Sequence, residues 1–237
     1  MANDRLAAVA RRSNREDAPE GLDALREIER VGEAFAQIGR DFHARGWTLG
    51  TSGNFSAVLA RSPQQIAITA TGVDLGRISA ADVVLVDGSG ASIAGTAAPS
   101  AELPLHLAIQ EATGADAVLH THSVAATLCS ERVGPGESIE LTGHEMLKAL
   151  PGVGNHLHRE RVPVIENSQE MGPLCEDAMA ALGNQPSAHG ILIRRHGLYA
   201  WGPSLAAAKA GIEGLEFLFE LMERSDRSVR AEVGERS

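Results

Sequence analysis

Three histidines near the ends of apolar segments are the residues of this chain best suited to bind a metal. His120 and His122 close the run 117–123, and their spacing places both imidazoles on one face of an extended strand. His196 closes a second apolar run, 190–197, whose last residue is a glycine that permits a turn. Neutral imidazoles suit zinc, which at catalytic sites usually takes three protein ligands. The sequence therefore predicts a zinc-like site, although an isolated His-x-His pair is also explained by strand-end histidines hydrogen-bonded to nearby loops.

Small and polar residues form three turns that are candidates for binding a phosphate. The first turn is segment 48–56, which is dense in residues that tolerate unusual backbone angles. The second is the Thr-Gly pair that follows an apolar strand over 66–70, and the third is the start of a predicted helix at Ser100. Helix N-termini and turn amides bind phosphate without lysine, of which the chain has only two. The candidate residues are Gly53, Asn54, Thr71, Gly72 and Ser100. Segment 48–56 is equally explained by a hairpin turn.

Composition and charge favour a globular protein with a small-molecule partner. A chain of 237 residues, 43% of them hydrophobic, can bury a full core within one domain. The net charge of −10, without a large Lys/Arg cluster, argues against a nucleic-acid or anionic-membrane surface. No apolar run reaches the ~18 residues of a membrane span, and the polar N-terminus lacks a signal-peptide core, so we expect a cytoplasmic protein. Cys129 and Cys175 form no C-x-x-C pair and are expected to be ordinary thiols.

Hydrophobic periodicity predicts the elements that must position these residues. Apolar residues recur at three- and four-residue spacing over 22–46 and again over 203–222, which predicts an amphipathic helix near each end. Between them, short apolar strands alternate with shorter helices, and both histidine motifs fall at strand ends. The predicted domains are a flexible arm over 1–21, one catalytic domain over 22–223 and a polar tail over 224–237.

Five motifs of this chain, in this order, resemble those of the class II aldolase/adducin family. They are Ser52-Gly-Asn-Phe-Ser56, Thr71-Gly72, Pro99-Ser-Ala-Glu102, His120-Thr-His122 and Arg195-His196-Gly197. The resemblance implies an α/β fold, a three-layer α/β/α single domain with a central, mostly antiparallel sheet, in subunits that form a homotetramer. It also implies that the three histidines hold one Zn²⁺ per subunit and that the three polar turns surround a substrate phosphate.

Four further segments most resemble the branch of that family that dehydrates a sugar phosphate. They are 119–123, 143–148, 164–167 and 193–202. This resemblance implies zinc-dependent dehydration of 5-methylthio-D-ribulose 1-phosphate to 5-methylthio-2,3-dioxopentyl phosphate in methionine salvage. The alternative on the same scaffold is a class II sugar-phosphate aldolase or 4-epimerase of the fuculose- or ribulose-phosphate type. A non-catalytic, adducin-like assembly module is a third hypothesis, which the intact set of three histidines disfavours.

Two carboxylates are the candidate catalytic residues. Glu145 opens a short helical segment, and if it faces the metal, a pKa raised toward neutral by burial would let it both accept and donate protons. Without the resemblance, Glu145 is better explained as an ordinary helix-start carboxylate favoured by the helix dipole. Glu102 stands where related aldolases keep an acid that alternates between zinc ligand and proton carrier, so the resemblance implies a catalytic role there as well. Tyr199, the single tyrosine, is expected to belong to the core.

Overall fold

The computed structural model describes residues 18–234, which fall into two compact units that divide between Leu107 and Ala108. Across the described residues, none of the helices combines the length and the hydropathy needed to cross a bilayer.

The first unit is a four-stranded antiparallel sheet with a long helix packed on it. Its strands pair in the order β4-β3-β2-β1. Its elements are α1 (Ala18–Ala44), β1 (Asn54–Arg61), β2 (Gln64–Thr69), a 3₁₀ turn (Ala80–Asp82), β3 (Val83–Asp87), β4 (Ser92–Ala94) and the start of α2 (Leu103–Thr113). The apolar stripe of α1 includes Phe35 and Phe42, whose rings both lie 5.9 Å from that of Phe55 on β1. Burial of these three rings holds α1 against the sheet.

The second unit is a five-stranded sheet in which the strands over 190–193 and 197–202 are buried at every residue. Its elements are β5 (Ala117–Thr121), α3 (Val124–Cys129), β6 (Ser138–Thr142), a 3₁₀ helix (Glu145–Ala149), β7 (Arg159–Ile165), α4 (Met171–Asn184), β8 (Gly190–Ile193), β9 (Gly197–Gly202) and α5 (Leu205–Gly234). The strand order is β5-β9-β8-β7-β6, and every pair is antiparallel except β7 with β8. Helix α5 packs on this sheet through buried apolar residues at helical spacing, among them Ile212, Leu215 and Phe219.

The terminal segments differ in part from their predicted structure. Helix α1 begins at Ala18 rather than near residue 22, since the proline that follows is tolerated in the first turn of a helix. Helix α5 continues to Gly234, so the predicted polar tail from residue 224 is helical as far as that glycine. Residues 224–233 contain strong helix formers and no proline, which lets the helix propagate without an apolar stripe. Residues 1–17 of the predicted arm lie outside the described residues. The domain boundaries at 22 and 223 stay predictions.

Candidate metal centre

The structure brings the three predicted histidines together in the second unit. His120 lies on β5, His122 follows the end of that strand, and His196 occupies the turn between β8 and β9. Their ring centroids are 4.5 Å apart for His120 and His122, 4.6 Å for His122 and His196, and 5.0 Å for His120 and His196. One ligand nitrogen from each ring lies within 4.8 Å of the other two, so the three imidazoles can share one cation.

The hydrogen bonds of His120 prepare its outer nitrogen for a metal. Its Nδ1 lies 2.9 Å from the carbonyl oxygen of Leu198, which can only accept, so the proton is assigned to Nδ1 and Nε2 keeps its lone pair. That Nε2 lies 3.3 Å from Nε2 of His196. Two nitrogens bound to one tetrahedral zinc at the usual bond length are separated by about 3.3–3.4 Å. The buried His120 ring also stacks on Tyr199 at 3.9 Å and 11°, which fixes its plane. The donor set therefore fits zinc.

A tight turn presents His196 to the other two rings. Arg195 adopts φ = 56°, a left-handed backbone conformation that is uncommon outside glycine. Its N–H donates to Ser130 Oγ at 2.8 Å, and its Nε donates to Glu131 Oε2 at 2.7 Å. The His196 N–H donates to Ile193 O at 3.1 Å, which closes the turn. These bonds offset the strain at Arg195 and hold the histidine in place.

Gly197 is required where β9 passes β5. A Cβ atom at this position would lie 2.1 Å from the carbonyl oxygen of Thr121 and 3.0 Å from Cε1 of His120. A side chain would therefore displace segment 120–122, which contains two of the three histidines. The glycine that the sequence suggested for a turn is needed for this close approach between strands.

Glu216 is a buried carboxylate behind the His-x-His segment that sequence reasoning missed. It accepts hydrogen bonds from Thr121 Oγ1 at 2.8 Å and from Ser123 Oγ, residues that flank His122 on either side. Burial raises the pKa of Glu216 to about 7, although the two hydroxyl hydrogen bonds act in the opposite direction. An acidic residue in line with the apolar stripe of α5, between Ile212 and Phe219, was the signal that could have identified it.

The predicted phosphate turns lie together within the first unit. The amide N–H of Thr71 donates to Ala98 O at 3.0 Å, that of Ser100 donates to Thr69 O at 3.0 Å, and that of Phe55 donates to Thr69 Oγ1 at 3.2 Å. Gly53 and Gly72 both have positive φ, at 82° and 70°. The turns 53–54, 71–72 and 98–100 are therefore held against one another by hydrogen bonds around Thr69.

Polar side chains beside these turns form a chain that ends on Glu102. Asn54 Nδ2 donates to Glu102 Oε2 at 2.6 Å, while Asn54 Oδ1 lies 2.5 Å from Nε2 of His106. The other nitrogen of His106 lies 2.8 Å from Ser56 Oγ. Burial lowers the pKa of His106 to about 4, with the Glu102 charge opposing, so the ring is neutral at pH 7. His106 was missed by sequence reasoning, although a histidine among the apolar residues of α2 was visible there.

Glu145 lies in a different environment from the one expected. Its side chain is 66% exposed and forms ion pairs with Lys148 and with Nδ1 of His156, the latter at 3.2 Å. The Lys148 hydrogen bond is the main cause of a pKa below the usual value. The expectation that burial raises this pKa is therefore wrong for this chain, because the carboxylate is solvated and faces two basic groups. Its catalytic role stays a prediction.

Comparisons with known proteins identify what this arrangement resembles. The family described as Class II Aldolase and Adducin N-terminal domain matches residues 33–222. A methylthioribulose-1-phosphate dehydratase of Marinobacter nauticus is 39% identical over 191 residues, which cover 80% of this chain and 91% of that protein. The protein of the same name from Methylococcus capsulatus is 41% identical over 199 residues, covering 84% and 95%.

Solved structures give the same fold. An L-fuculose 1-phosphate aldolase superposes with a TM-score of 0.68 at 26% identity, covering 83% of this chain and 86% of that one. The L-fuculose-1-phosphate aldolase of Thermus thermophilus has a TM-score of 0.67 at 24% identity, covering 84% and 96%, and shows the fold alone. The predicted class II aldolase-like fold with a mostly antiparallel sheet is confirmed, as is the predicted resemblance to the dehydratases.

Proposed function

Because the chain belongs to the class II aldolase and adducin N-terminal domain family, we propose that it dehydrates 5-methylthio-D-ribulose 1-phosphate to 5-methylthio-2,3-dioxopentyl phosphate in methionine salvage. The observation that carries the proposal is the cluster of three imidazoles, His120, His122 and His196, whose nitrogens are spaced for one metal ion. The choice of a dehydratase rests on relatives of that name that are 39–41% identical to this chain.

His120, His122 and His196 are the residues that would hold the metal, one Zn²⁺ per chain. A zinc ion bound there would polarise the C2 carbonyl of the substrate as a Lewis acid and lower the cost of removing the proton on C3. The His120 ring is held by a hydrogen bond to Leu198 O and by stacking on Tyr199. His196 is held by the turn at Arg195. Such orientation by neighbouring groups commonly changes metal affinity by roughly 10–100-fold.

Glu145 is the residue to which we assign proton transfer. With its pKa lowered by Lys148, the carboxylate is ionised at neutral pH and is ready to act as a base. It would take the proton from C3, and the electron pair of that C–H bond would first be delocalised onto the C2 carbonyl oxygen. That electron pair would then form the C3–C4 double bond as the C4–O bond breaks. The carboxyl would return its proton to the departing hydroxyl, which leaves as water. The enol left at C3 then tautomerises to the second ketone, so one water is lost and no oxidant is needed.

The substrate phosphate is assigned to the turns that contain Gly53, Asn54, Thr71, Gly72 and Ser100. Their positive-φ glycines and their position around Thr69 support this assignment, since backbone amides in such turns commonly cradle anions. We assign Glu102, which lies beside these turns, a catalytic role as well. Its carboxylate holds the Asn54 amide, and it remains the candidate for a second acid if one residue does not suffice.

The second candidate function is a sugar-phosphate aldolase or 4-epimerase. The structural likeness to L-fuculose 1-phosphate aldolase favours it, as does the presence of an acid at position 102. An aldolase would break the C3–C4 bond, whereas a dehydratase leaves the carbon chain whole. Incubation of the protein with 5-methylthioribulose 1-phosphate and identification of the products therefore tests the proposal.

A homotetramer and a cytoplasmic location stay predictions. Light scattering, which measures the mass of the assembly, tests the first of them.

A further inference from the structure

A second group of metal-ligating side chains lies elsewhere in the second unit, and the proposed reaction does not use it. His158 directly precedes β7, Glu160 lies on β7, and His189 directly precedes β8. The Glu160 side chain is 1% exposed, whereas those of His158 and His189 are 29% and 18% exposed. Burying a carboxylate this completely is costly unless charged or hydrogen-bonding groups surround it.

Both histidines point a nitrogen at the same carboxylate oxygen. His158 Nε2 and His189 Nδ1 each lie 2.8 Å from Glu160 Oε2, and the backbone N–H of His189 donates to Glu160 Oε1 at 2.9 Å. Burial acts to raise the pKa of Glu160, but these contacts outweigh it and leave the pKa below the usual value. The carboxylate is therefore ionised and acts as an acceptor for both rings.

The other nitrogen of His189 fixes the state of that ring. Its Nε2 lies 2.8 Å from the carbonyl oxygen of Pro151, which can only accept, so Nε2 carries a proton. Nδ1 faces a second acceptor, the Glu160 carboxylate. In the absence of a cation, Nδ1 must also be protonated, and the pKa of His189 is raised despite burial because of Glu160 and Pro151. A metal ion could replace the Nδ1 proton while the Pro151 bond stays unchanged.

We propose that His158, Glu160 and His189 form a second binding site for a divalent transition metal of the zinc type. Two imidazole nitrogens and one carboxylate oxygen are ligands that Zn²⁺ favours, and here all three ligand atoms lie within 4.8 Å of one another. If one ion were bound, the distance from Glu160 Oε2 to each histidine nitrogen would increase from 2.8 Å to about 3.3 Å, the ligand spacing of a tetrahedral zinc site.

A cavity beside the cluster gives a metal access and room for a fourth ligand. It has a volume of about 550 Å³, and both His158 and His189 line it. Segment 151–155 forms part of its wall, including Pro151, whose carbonyl orients His189. A metal held by the three side chains would keep its remaining position open to this cavity, where water or a small anion can complete the coordination.

Counting bound metal in untagged, full-length protein tests the proposal. The protein is stripped of metal and titrated with Zn²⁺ and with Co²⁺, by calorimetry and by visible absorption. We expect two equivalents for the wild type, one for His122→Ala, one for His158→Ala and none for the double variant. His144→Ala, which removes an exposed histidine outside both clusters, should keep two. His158 is the better target than Glu160, since removing Glu160 strips a buried partner from two rings and threatens folding.

Calorimetry in buffers of different ionisation enthalpy gives a readout that is independent of activity. Binding of Zn²⁺ at the second site should release the Nδ1 proton of His189. His158→Ala should abolish this proton release but should still bind one Zn²⁺ at the cluster of His120, His122 and His196. If the wild type binds one equivalent of metal and His158→Ala binds the same amount, the proposal is overturned. The cluster would then be a hydrogen-bonded group of two histidines and a carboxylate. A folded His122→Ala protein that binds none would overturn it as well.

Discussion

Replacing Gly197 with alanine should damage the metal centre more than it damages the fold. The added Cβ would lie 2.1 Å from Thr121 O, 3.0 Å from Cε1 of His120 and 3.1 Å from the carbonyl carbon of Thr121. Ordinary contacts begin at 3.4 Å, so strand β5 or β9 must move by 3.4 − 2.1 = 1.3 Å to relieve the first contact. Because the obstacle is backbone rather than a flexible side chain, rotation about a side-chain bond cannot absorb the change.

The size of the effect follows from that displacement. Overpacking of this kind costs about 1–3 kcal/mol of folding free energy, which most domains survive. His120 and Gly197 are in direct proximity, so the same movement shifts Nε2 of His120 away from its 3.3 Å separation from His196. A misplacement of about 1 Å at a reacting centre commonly costs roughly 10²-fold in rate. We therefore expect metal affinity to fall by roughly 10–100-fold and turnover to fall at least as far.

The assay is competition for zinc between the protein and a chromophoric chelator, with thermal unfolding measured in parallel. Gly183→Ala in α4 is the matched control, since a Cβ there meets nothing within 4 Å and should leave both affinity and turnover unchanged. Wild-type zinc affinity in a folded Gly197→Ala protein would refute the reasoning, because it would mean that the approach of β9 to β5 does not set the ligand geometry.

Three further predictions concern single side chains of the proposed site. Glu145→Gln should keep the fold and the bound metal but lose roughly 10²–10⁴ in turnover, and a steady-state assay showing less than a tenfold loss would remove Glu145 from the mechanism. His122→Ala should bind one metal equivalent fewer than the wild type by elemental analysis and lose activity, whereas His43→Ala should do neither. The pKa of Glu216 is raised to about 7 in the folded protein, so its contribution to stability is full below about pH 4.5 and is lost as pH rises through 7. Glu216→Gln should remove this loss, on the order of 3 kcal/mol in chemical denaturation, and an unchanged pH profile would contradict the assignment.

The sequence predicted the features that depend on local spacing. The i, i+2 spacing of His120 and His122 on an apolar strand placed both rings on one face, and the glycine after His196 marked a turn that the structure contains. The strand ends then meet because β5 and β9 pair, with His120 opposite Tyr199. Periodicity in α1 likewise identified the face that carries Phe35 and Phe42.

Contacts between distant segments could not be predicted from spacing. Glu216 meets Thr121 across 95 residues, and His106 meets Asn54 across 52. Each is a polar residue on an apolar helix face, which signals a buried partner without identifying it. The ion pair of Glu145 with His156, eleven positions away in a loop, could not be predicted from residues 143–148, although Lys148, the main cause of the lowered pKa, lies within them.

Identification of the product formed from 5-methylthioribulose 1-phosphate is the most direct test of the proposed activity. Mass spectrometry and ³¹P NMR of the reaction with zinc-loaded protein should reveal one phosphorylated product, lighter than the substrate by one water and retaining the whole carbon chain. Glu145→Gln protein with the same metal content should form it far more slowly. Two carbon fragments, one of them a three-carbon keto phosphate, would contradict the proposal, since they would show that the enzyme cleaves the C3–C4 bond.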